Sequence, residues 1–163
     1  MSQGFLSRID FGATGMRRLF NWWPPFRAAG IRVRSISPDF RAATVELRMR
    51  LFNRNYVGTH FGGSLFAMTD PFFAFLLREN LGDGYLVWDK AGAIEYLASG
   101  RDRVWARLEI AEADLDHIRR MTEAGDKHLH LFKVEIRDDD GMAVARVEKM
   151  VYIRRRREGG AAS

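Results

Sequence analysis

Residues 55–77 read NYVGTHFGGSLFAMTDPFFAFLL, and this stretch decides the fold of the chain. A Gly-Gly pair stands before a run in which only Ser64, Thr69 and Asp70 are polar. The run shows no alternation and is longer than a typical strand, so it predicts a helix over residues 63–80. A helix that is apolar on nearly every side is a buried one.

Segments of alternating polarity lie on both sides of this helix and predict strands. A lone apolar helix among antiparallel strands needs a sheet to wrap it. We therefore expect an α+β fold in which about six antiparallel strands curl round one long buried helix. The strands are predicted at 31–37 and 43–50, which form a hairpin, and at 86–97, 103–113, 128–137 and 142–154, with a helical connection at 114–125 that Asp114 or Asp116 can cap.

Apolar side chains at near-helical spacing predict a further helix over residues 5–23, which the Pro24-Pro25 pair ends. This helix packs on the domain or on a partner subunit, or it lies on a membrane surface. We expect an N-terminal helical extension over 1–29, one domain over 30–157 and a flexible tail over 158–163.

The composition limits the classes of function. The 163 residues suffice for one domain, the net charge is +5, and the absence of cysteine excludes disulfides, thiolate metal sites and cysteine nucleophiles. The longest apolar stretch is shorter than the roughly 20 residues that span a bilayer, so we expect a cytoplasmic protein without membrane insertion. Because no basic helix or zinc-finger spacing is present, we expect no nucleic-acid partner.

Asp70 is the residue least expected in its surroundings, because it lies about two turns into the most apolar helix. Desolvation of a carboxylate costs several kcal/mol unless the group is hydrogen-bonded or its pKa rises. A carboxylate in such a place is a candidate general base or nucleophile. Alternatively, Asp70 caps backbone groups that Pro71 leaves free, since proline removes a helical hydrogen bond.

The glycines before the helix allow a substrate to approach backbone N–H groups closely. These N–H groups lie at the positive end of the helix dipole, where they can bind an oxyanion or a polarised carbonyl oxygen. A Gly-Gly pair alone is a weak indication of such a site. The indication is stronger here because an acid, Asp70, follows about two turns later.

The run N-x-x-G-T-x-x-G-G-x-x-F-x-x-x-D from Asn55 to Asp70 resembles the PaaI-like thioesterases of the hotdog superfamily. More closely, it resembles an uncharacterised branch that shares G-T-H-F-G-G-S-L-F-A-M-T-D-P. The resemblance covers residues 30–154. It implies hydrolysis of acyl-CoA without a metal or redox cofactor, in homodimers or homotetramers with sites at the subunit interface.

By the same resemblance, Asp70 is the acid that activates water or attacks the thioester carbon. Asn55 positions the water or the substrate, and the Gly63 amide polarises the carbonyl. PaaI-like enzymes commonly carry a histidine directly before the Gly-Gly pair, whereas this chain has Phe61 there and His60 one position earlier. Either a local bulge aims His60 at the site, or its role is missing.

Other residues are weaker candidates. The expected substrate-binding residues besides His60 are Thr59, Phe61, Gly62 and Lys90, of which Lys90 could contact a phosphate or remain a surface lysine. His128 and His130 share a strand face as two metal ligands would, but no third ligand has evident spacing, so we expect no metal. A second carboxylate at Glu95 and phosphate contacts by Arg101, Arg103 or Arg154–Arg157 are minor alternatives to solvated side chains.

Three functions remain open at this point. The leading hypothesis is an acyl-CoA thioesterase. The first alternative is a hotdog protein that binds an acyl chain or acyl-CoA without turnover, which the displaced histidine favours. The second is an acyl-thioester hydratase or dehydratase, in which His60 and Asp70 would form the acid–base pair.

Overall fold

The computed structural model describes residues 11–156, which form five helices and six strands. These elements are α1 (Gly12–Trp22), α2 (Pro24–Ala29), β1 (Ile31–Ile36), β2 (Ala42–Arg48), α3 (Gly62–Ala67), α4 (Phe72–Leu81), β3 (Tyr85–Tyr96), β4 (Arg103–Glu109), α5 (Glu112–Met121), β5 (Lys127–Asp138) and β6 (Ala143–Arg155).

The six strands form one sheet in the order β1-β2-β4-β5-β6-β3, and every neighbouring pair is antiparallel. The predicted α+β class with a six-stranded antiparallel sheet is confirmed. Strand β3, the first after the central helices, pairs with β6, the last, so it lies at one edge of the sheet. Strand β1 forms the other edge.

The predicted central helix is present in two segments, α3 and α4, which a turn at residues 68–71 separates. Pro71 has no N–H with which to continue the helical hydrogen bonds, and Thr69 and Asp70 instead donate to carbonyls three residues back. Segment α4 is the apolar centre of the fold, because four of its apolar side chains are almost completely buried; these are Phe72, Phe73, Leu76 and Leu77. Burial of each contributes about 2 kcal/mol to stability.

The N-terminal helix ends at Trp22 as the prolines predict, but Pro24 also begins the short helix α2. Helix α1 lies along the outer edge of β1, where the Asn21 side chain bonds both the N–H and the carbonyl of Val33, at 2.8 and 3.0 Å. This contact supports packing on the domain. Residues 5–10 of the predicted helix and the tail at 158–163 lie outside the described residues.

The helical connection before β5 is also present, as α5. Its first turn is held by Asp114, whose carboxylate accepts the N–H of Ala111 at 3.1 Å. Among residues 11–156, no helix combines the length and the apolar character that crossing a bilayer requires.

Candidate functional site

A buried lysine lies at the centre of the site. Strand β6 points alternate side chains into the core, and Lys149 takes one of these inward positions between Val147 and Val151. Its side chain is only 2% exposed. Burial of an ammonium group costs free energy unless the group is paired with an opposite charge. The residues that pair with Lys149 therefore form a cluster of charged groups inside the fold.

Two carboxylates surround this ammonium. Lys149 Nζ donates to Asp70 Oδ1 at 2.6 Å and lies 3.7 Å from Asp89 Oδ2 on strand β3. It also lies 5.1 Å from the centre of the Phe66 ring. We call Asp70, Lys149 and Asp89 the acid–lysine cluster. A carboxylate bonded to an ammonium is held in one orientation, and such a bond is stronger than a neutral one.

Asp70 differs from its predicted setting. The sequence predicts a desolvated carboxylate inside a continuous helix, whereas the side chain is 55% exposed in the turn between α3 and α4. That part of the prediction is wrong because Pro71 interrupts the helix and turns Asp70 towards Lys149. Oδ1 accepts from Lys149, and no group within residues 11–156 donates to Oδ2. This second oxygen can accept a proton from a water molecule.

Asp89 is the more buried of the two acids. Burial raises the pKa of Asp89, and the neighbouring Lys149 partly counters that shift. Its Oδ1 atom has no hydrogen-bond partner among the described residues. The sequence analysis selected the next residue, Lys90, which is instead exposed at an irregularity of the β3–β6 pairing and forms no ion pair with residues 11–156.

The loop before α3 is closed by Asn55. Its side-chain oxygen accepts the N–H groups of Val57 and Thr59, and its amide donates to Thr59 Oγ1 at 2.8 Å and to the His60 carbonyl at 3.3 Å. The Asn55 side chain therefore shapes the loop that carries Gly62 and Gly63 to the start of the helix.

His60 points into the protein. It is 3% exposed, its ring lies against Gly100, and neither ring nitrogen has a hydrogen-bond partner in the described part of the chain. Burial lowers its pKa, so the neutral ring is favoured. The sequence left two alternatives for His60: a bulge that aims the ring at the site, or a missing role. In the structure, the His60 ring forms no hydrogen bond with Asp70. Within one chain, His60 therefore forms no acid–base pair with Asp70 of the kind that a hydratase would use.

The Gly-Gly pair begins helix α3, as expected. Ser64 and Leu65 donate to the Phe61 carbonyl, and helix geometry leaves the N–H groups of Gly62 and Gly63 without an acceptor inside the helix. Side chains approach both glycines closely. A Cβ atom at Gly63 would lie 2.4 Å from Phe61 Cε1, and one at Gly62 would lie 2.6 Å from the Tyr96 hydroxyl.

The minor arginine and glutamate candidates lie elsewhere. Glu95 pairs with Arg146, Arg103 pairs with Asp139, and Arg154 donates to the carbonyl of Gly125. Arg101 is exposed, and Arg157 lies outside the described residues. None of these side chains contacts the acid–lysine cluster in the structure of residues 11–156.

The structure places a third histidine, His117, beside His128 and His130, although the sequence spacing showed no third ligand. Helix α5 packs against strand β5 and brings His117 to them. Residue spacing does not define how this helix packs on this strand, so the grouping of the three histidines could not be predicted from it.

An apolar groove of about 380 Å³ lies against Pro71. It is formed by α1, the start of α2 and Pro71, and it exposes much of Trp22 and Trp23.

The sequence profile of the family described as a domain of unknown function, DUF4442, matches residues 12–153. No curated protein gives a significant match. Many solved structures have a similar fold. A Pseudomonas aeruginosa protein of unknown function, described as a probable thioesterase, is 15% identical with a TM-score of 0.73. The alignment covers 86% of this chain and 93% of the P. aeruginosa protein.

Two further structures extend this comparison. A Haemophilus influenzae thioesterase is 12% identical with a TM-score of 0.65, covering 91% of this chain and 94% of its own. The PaaI protein of the Escherichia coli phenylacetic acid degradation operon is 17% identical with a TM-score of 0.58, covering 92% and 95%. At these identities the likeness shows the fold, which is the hotdog fold that the sequence motif implies.

Proposed function

This chain belongs to the DUF4442 family and has the hotdog fold, and from this premise we propose that it is an acyl-CoA thioesterase with Asp70 as its catalytic base. The observation that carries the proposal is the bond between Lys149 and Asp70. It fixes one oxygen of the carboxylate and leaves the other available to a water molecule. A carboxylate positioned in this way can remove a proton from water as it attacks a thioester carbon.

The helix-start amides supply the second requirement of the reaction. Attack on a thioester places negative charge on the carbonyl oxygen, and backbone N–H groups aimed at that oxygen stabilise the transition state. Gly62 and Gly63 offer two N–H groups with no intrahelical acceptor. The space that a side chain would take at these glycines is filled by Tyr96 and Phe61, so both positions need glycine. Asn55 contributes by holding the loop in this form.

Within one copy of the chain, these two parts lie at opposite ends of α3. The six residues of α3 rise about 9 Å along its axis, and Asp70 follows in the turn beyond Ala67. The N–H groups at a helix start also point away from the helix body, and so away from Asp70. A complete site therefore needs Asp70 of one subunit and the helix start of another, in a homodimer or a homotetramer.

Strand β3 is the surface we assign to that second copy. One side of β3 pairs with β6, and no strand among the described residues pairs with the other side. A long open strand edge readily pairs with a second chain. Asp89 lies on this strand, so pairing along β3 would bring the acid–lysine cluster to the subunit interface.

A second candidate is a protein that binds acyl-CoA without hydrolysing it, which the burial of His60 favours. The two functions separate in one assay. Thiol released from short-chain, long-chain and phenylacetyl CoA thioesters can be measured with a thiol reagent without background, because the chain contains no cysteine.

We expect turnover by the wild type that Asp70→Asn abolishes while ligand affinity is retained. The matched control is Asp83→Asn, which changes an exposed acid just after α4. A folded oligomer that is stabilised by an acyl-CoA but releases no thiol from any substrate would overturn the thioesterase proposal in favour of the binding protein.

A further inference from the structure

Three of the four histidines of the chain meet at a place remote in sequence from the Asn55–Asp70 motif. One nitrogen from each of His117, His128 and His130 lies within 4.8 Å of the others, and we call these residues the histidine cluster. The fourth histidine, His60, is buried against Gly100 and takes no part in it.

The fold brings the histidine cluster together from two elements. His128 and His130 are two residues apart on β5, so both side chains point to the same face of the sheet. Helix α5 packs on that face through Leu115 and Ile118, and it carries His117 at its more exposed side. The cluster thus joins a helix to a strand.

The rings are oriented by neighbours of two kinds. The ring of His130 packs against the ring of Phe132, with 4.5 Å between ring centres. Its Nε2 atom lies 3.5 Å from Asp114 Oδ1, while the other oxygen of Asp114 accepts the N–H of Ala111. The Nδ1 atom of His130 then faces His128 Nε2 at 3.3 Å.

This arrangement is the one that metal-binding histidines show. A histidine ligand typically donates its second ring N–H to a carboxylate, which fixes the ring and the tautomer. Nitrogens at 2.0–2.1 Å from a tetrahedral Zn²⁺ lie about 3.4 Å from one another, close to the separation between His128 and His130. His117 is exposed and can change its rotamer to close the remaining gap.

We propose that the histidine cluster binds one divalent transition-metal ion, Zn²⁺ foremost, through His117, His128 and His130, with Asp114 positioning His130. Three imidazole ligands suit Zn²⁺, Ni²⁺ and Cu²⁺ and do not suit Mg²⁺ or Ca²⁺, which prefer oxygen. The fourth position faces solvent beside His117 and takes a water molecule. The ion would tie α5 to β5. A simple hydrogen bond between His128 and His130 would require neither His117 nor Asp114.

The test uses the full chain without a histidine tag, stripped with a chelator and titrated with ZnCl₂ in a calorimeter. We expect one ion per chain and a rise of about 5 to 10 °C in the unfolding temperature at 100 times the dissociation constant. Bound Co²⁺ should give the visible absorption of a tetrahedral site. Mg²⁺ should neither bind at the histidine cluster nor raise the unfolding temperature.

Variants identify the ligands. His117→Ala, His128→Ala and His130→Ala should each abolish one-to-one binding, and Asp114→Asn should weaken it about 10- to 100-fold. The matched control for Asp114 is Asp116→Asn, which changes a carboxylate on α5 that pairs with Arg119 instead. His117 is exposed, so His117→Ala should keep the fold of the metal-free protein, as circular dichroism can verify.

Zn²⁺ binding that survives His117→Ala at unchanged affinity would overturn the proposal, as would the absence of any Zn²⁺-dependent stabilisation in the folded wild type. Because these readouts do not involve acyl-CoA, they are independent of the thioesterase assay.

Discussion

Lys149 and Asp70 are 79 positions apart in the chain, yet the ammonium of one lies 2.6 Å from the carboxylate of the other. The bond joins the last strand of the sheet to the turn between the two central helices. Lys149 is almost completely buried, so the fold rather than solvent determines where Asp70 points.

We expect Lys149→Met to lower the free energy of unfolding by about 2 kcal/mol, less than the 3–5 kcal/mol of a fully buried pair because Asp70 is half exposed. Turnover should also fall, since Asp70 loses the bond that orients it. Urea denaturation at neutral pH measures the first effect. The control is Lys90→Met, which removes an exposed lysine without an ion pair to residues 11–156 and should change stability by about 0.5 kcal/mol or less.

The pH dependence of stability should report the burial of Asp89. Its pKa is raised in the folded state, so ionisation destabilises the fold, and stability is lost as pH rises from the ordinary value of 3.8 through the folded pKa. Asp89→Asn removes this loss. The stability of the variant relative to wild type should therefore increase with pH across this range. A constant difference between the two proteins would contradict the prediction.

His60→Phe should keep or raise stability at neutral pH, because the buried ring nitrogens have no hydrogen-bond partner within residues 11–156 to lose. Burial lowers the pKa of His60, so its contribution to stability is present above about pH 6.5 and is lost as pH falls through the folded pKa. The variant should be less sensitive to acid than wild type. A large loss of turnover at neutral pH would show instead that His60 acts on the substrate.

Gly63→Ala should reduce turnover by about tenfold or more with little loss of stability, because the new methyl group displaces the Phe61 ring and disturbs the approach to the helix-start amides. Gly84→Ala is the matched control, since its Cβ atom meets nothing within 4 Å. Gly63→Ala with wild-type turnover would remove Gly63 from the proposed site.

Gly62→Ala tests the neighbouring amide. Its methyl group would lie 2.6 Å from the Tyr96 hydroxyl and 2.9 Å from the ring carbon Cζ, so we expect turnover to fall. Tyr96→Ala in the same chain removes both contacts and should restore part of the lost activity. Activity that the second substitution does not recover would mean that the methyl group acts by another route than contact with Tyr96.

The sequence predicts the elements of this fold well, because each has a clear period or a clear end signal. The apolar run with its Gly-Gly start identifies the centre, and the alternating segments identify all six strands. The interruption at residues 68–71 is harder to predict. Pro71 indicates a kink, but the extent of the break also depends on the distant Lys149, which holds Asp70 outside the helix.

The candidate site was only partly accessible from sequence. Asp70 could be found because it is an acid among apolar neighbours. Lys149 carries a similar signal that the sequence analysis missed, since it takes an inward position on a strand where Val147, Val151 and Ile153 also point inward. His117 carries no sequence signal of this kind, because only the packing of α5 on β5 brings it to the other histidines.

The order of strands in the sheet has a consequence for synthesis of the chain. Strand β3 leaves the ribosome before β4 and β5, but its partner β6 is made last. Tyr85 therefore cannot pair with Arg155 until the chain has been synthesised as far as Arg155. At about 5–20 residues per second, this delay lasts several seconds, during which both edges of β3 are free. Lys149 and Asp89 arrive on these two strands. The acid–lysine cluster can therefore assemble only after β6 has been made, and a nascent chain that ends before Lys149 cannot carry it.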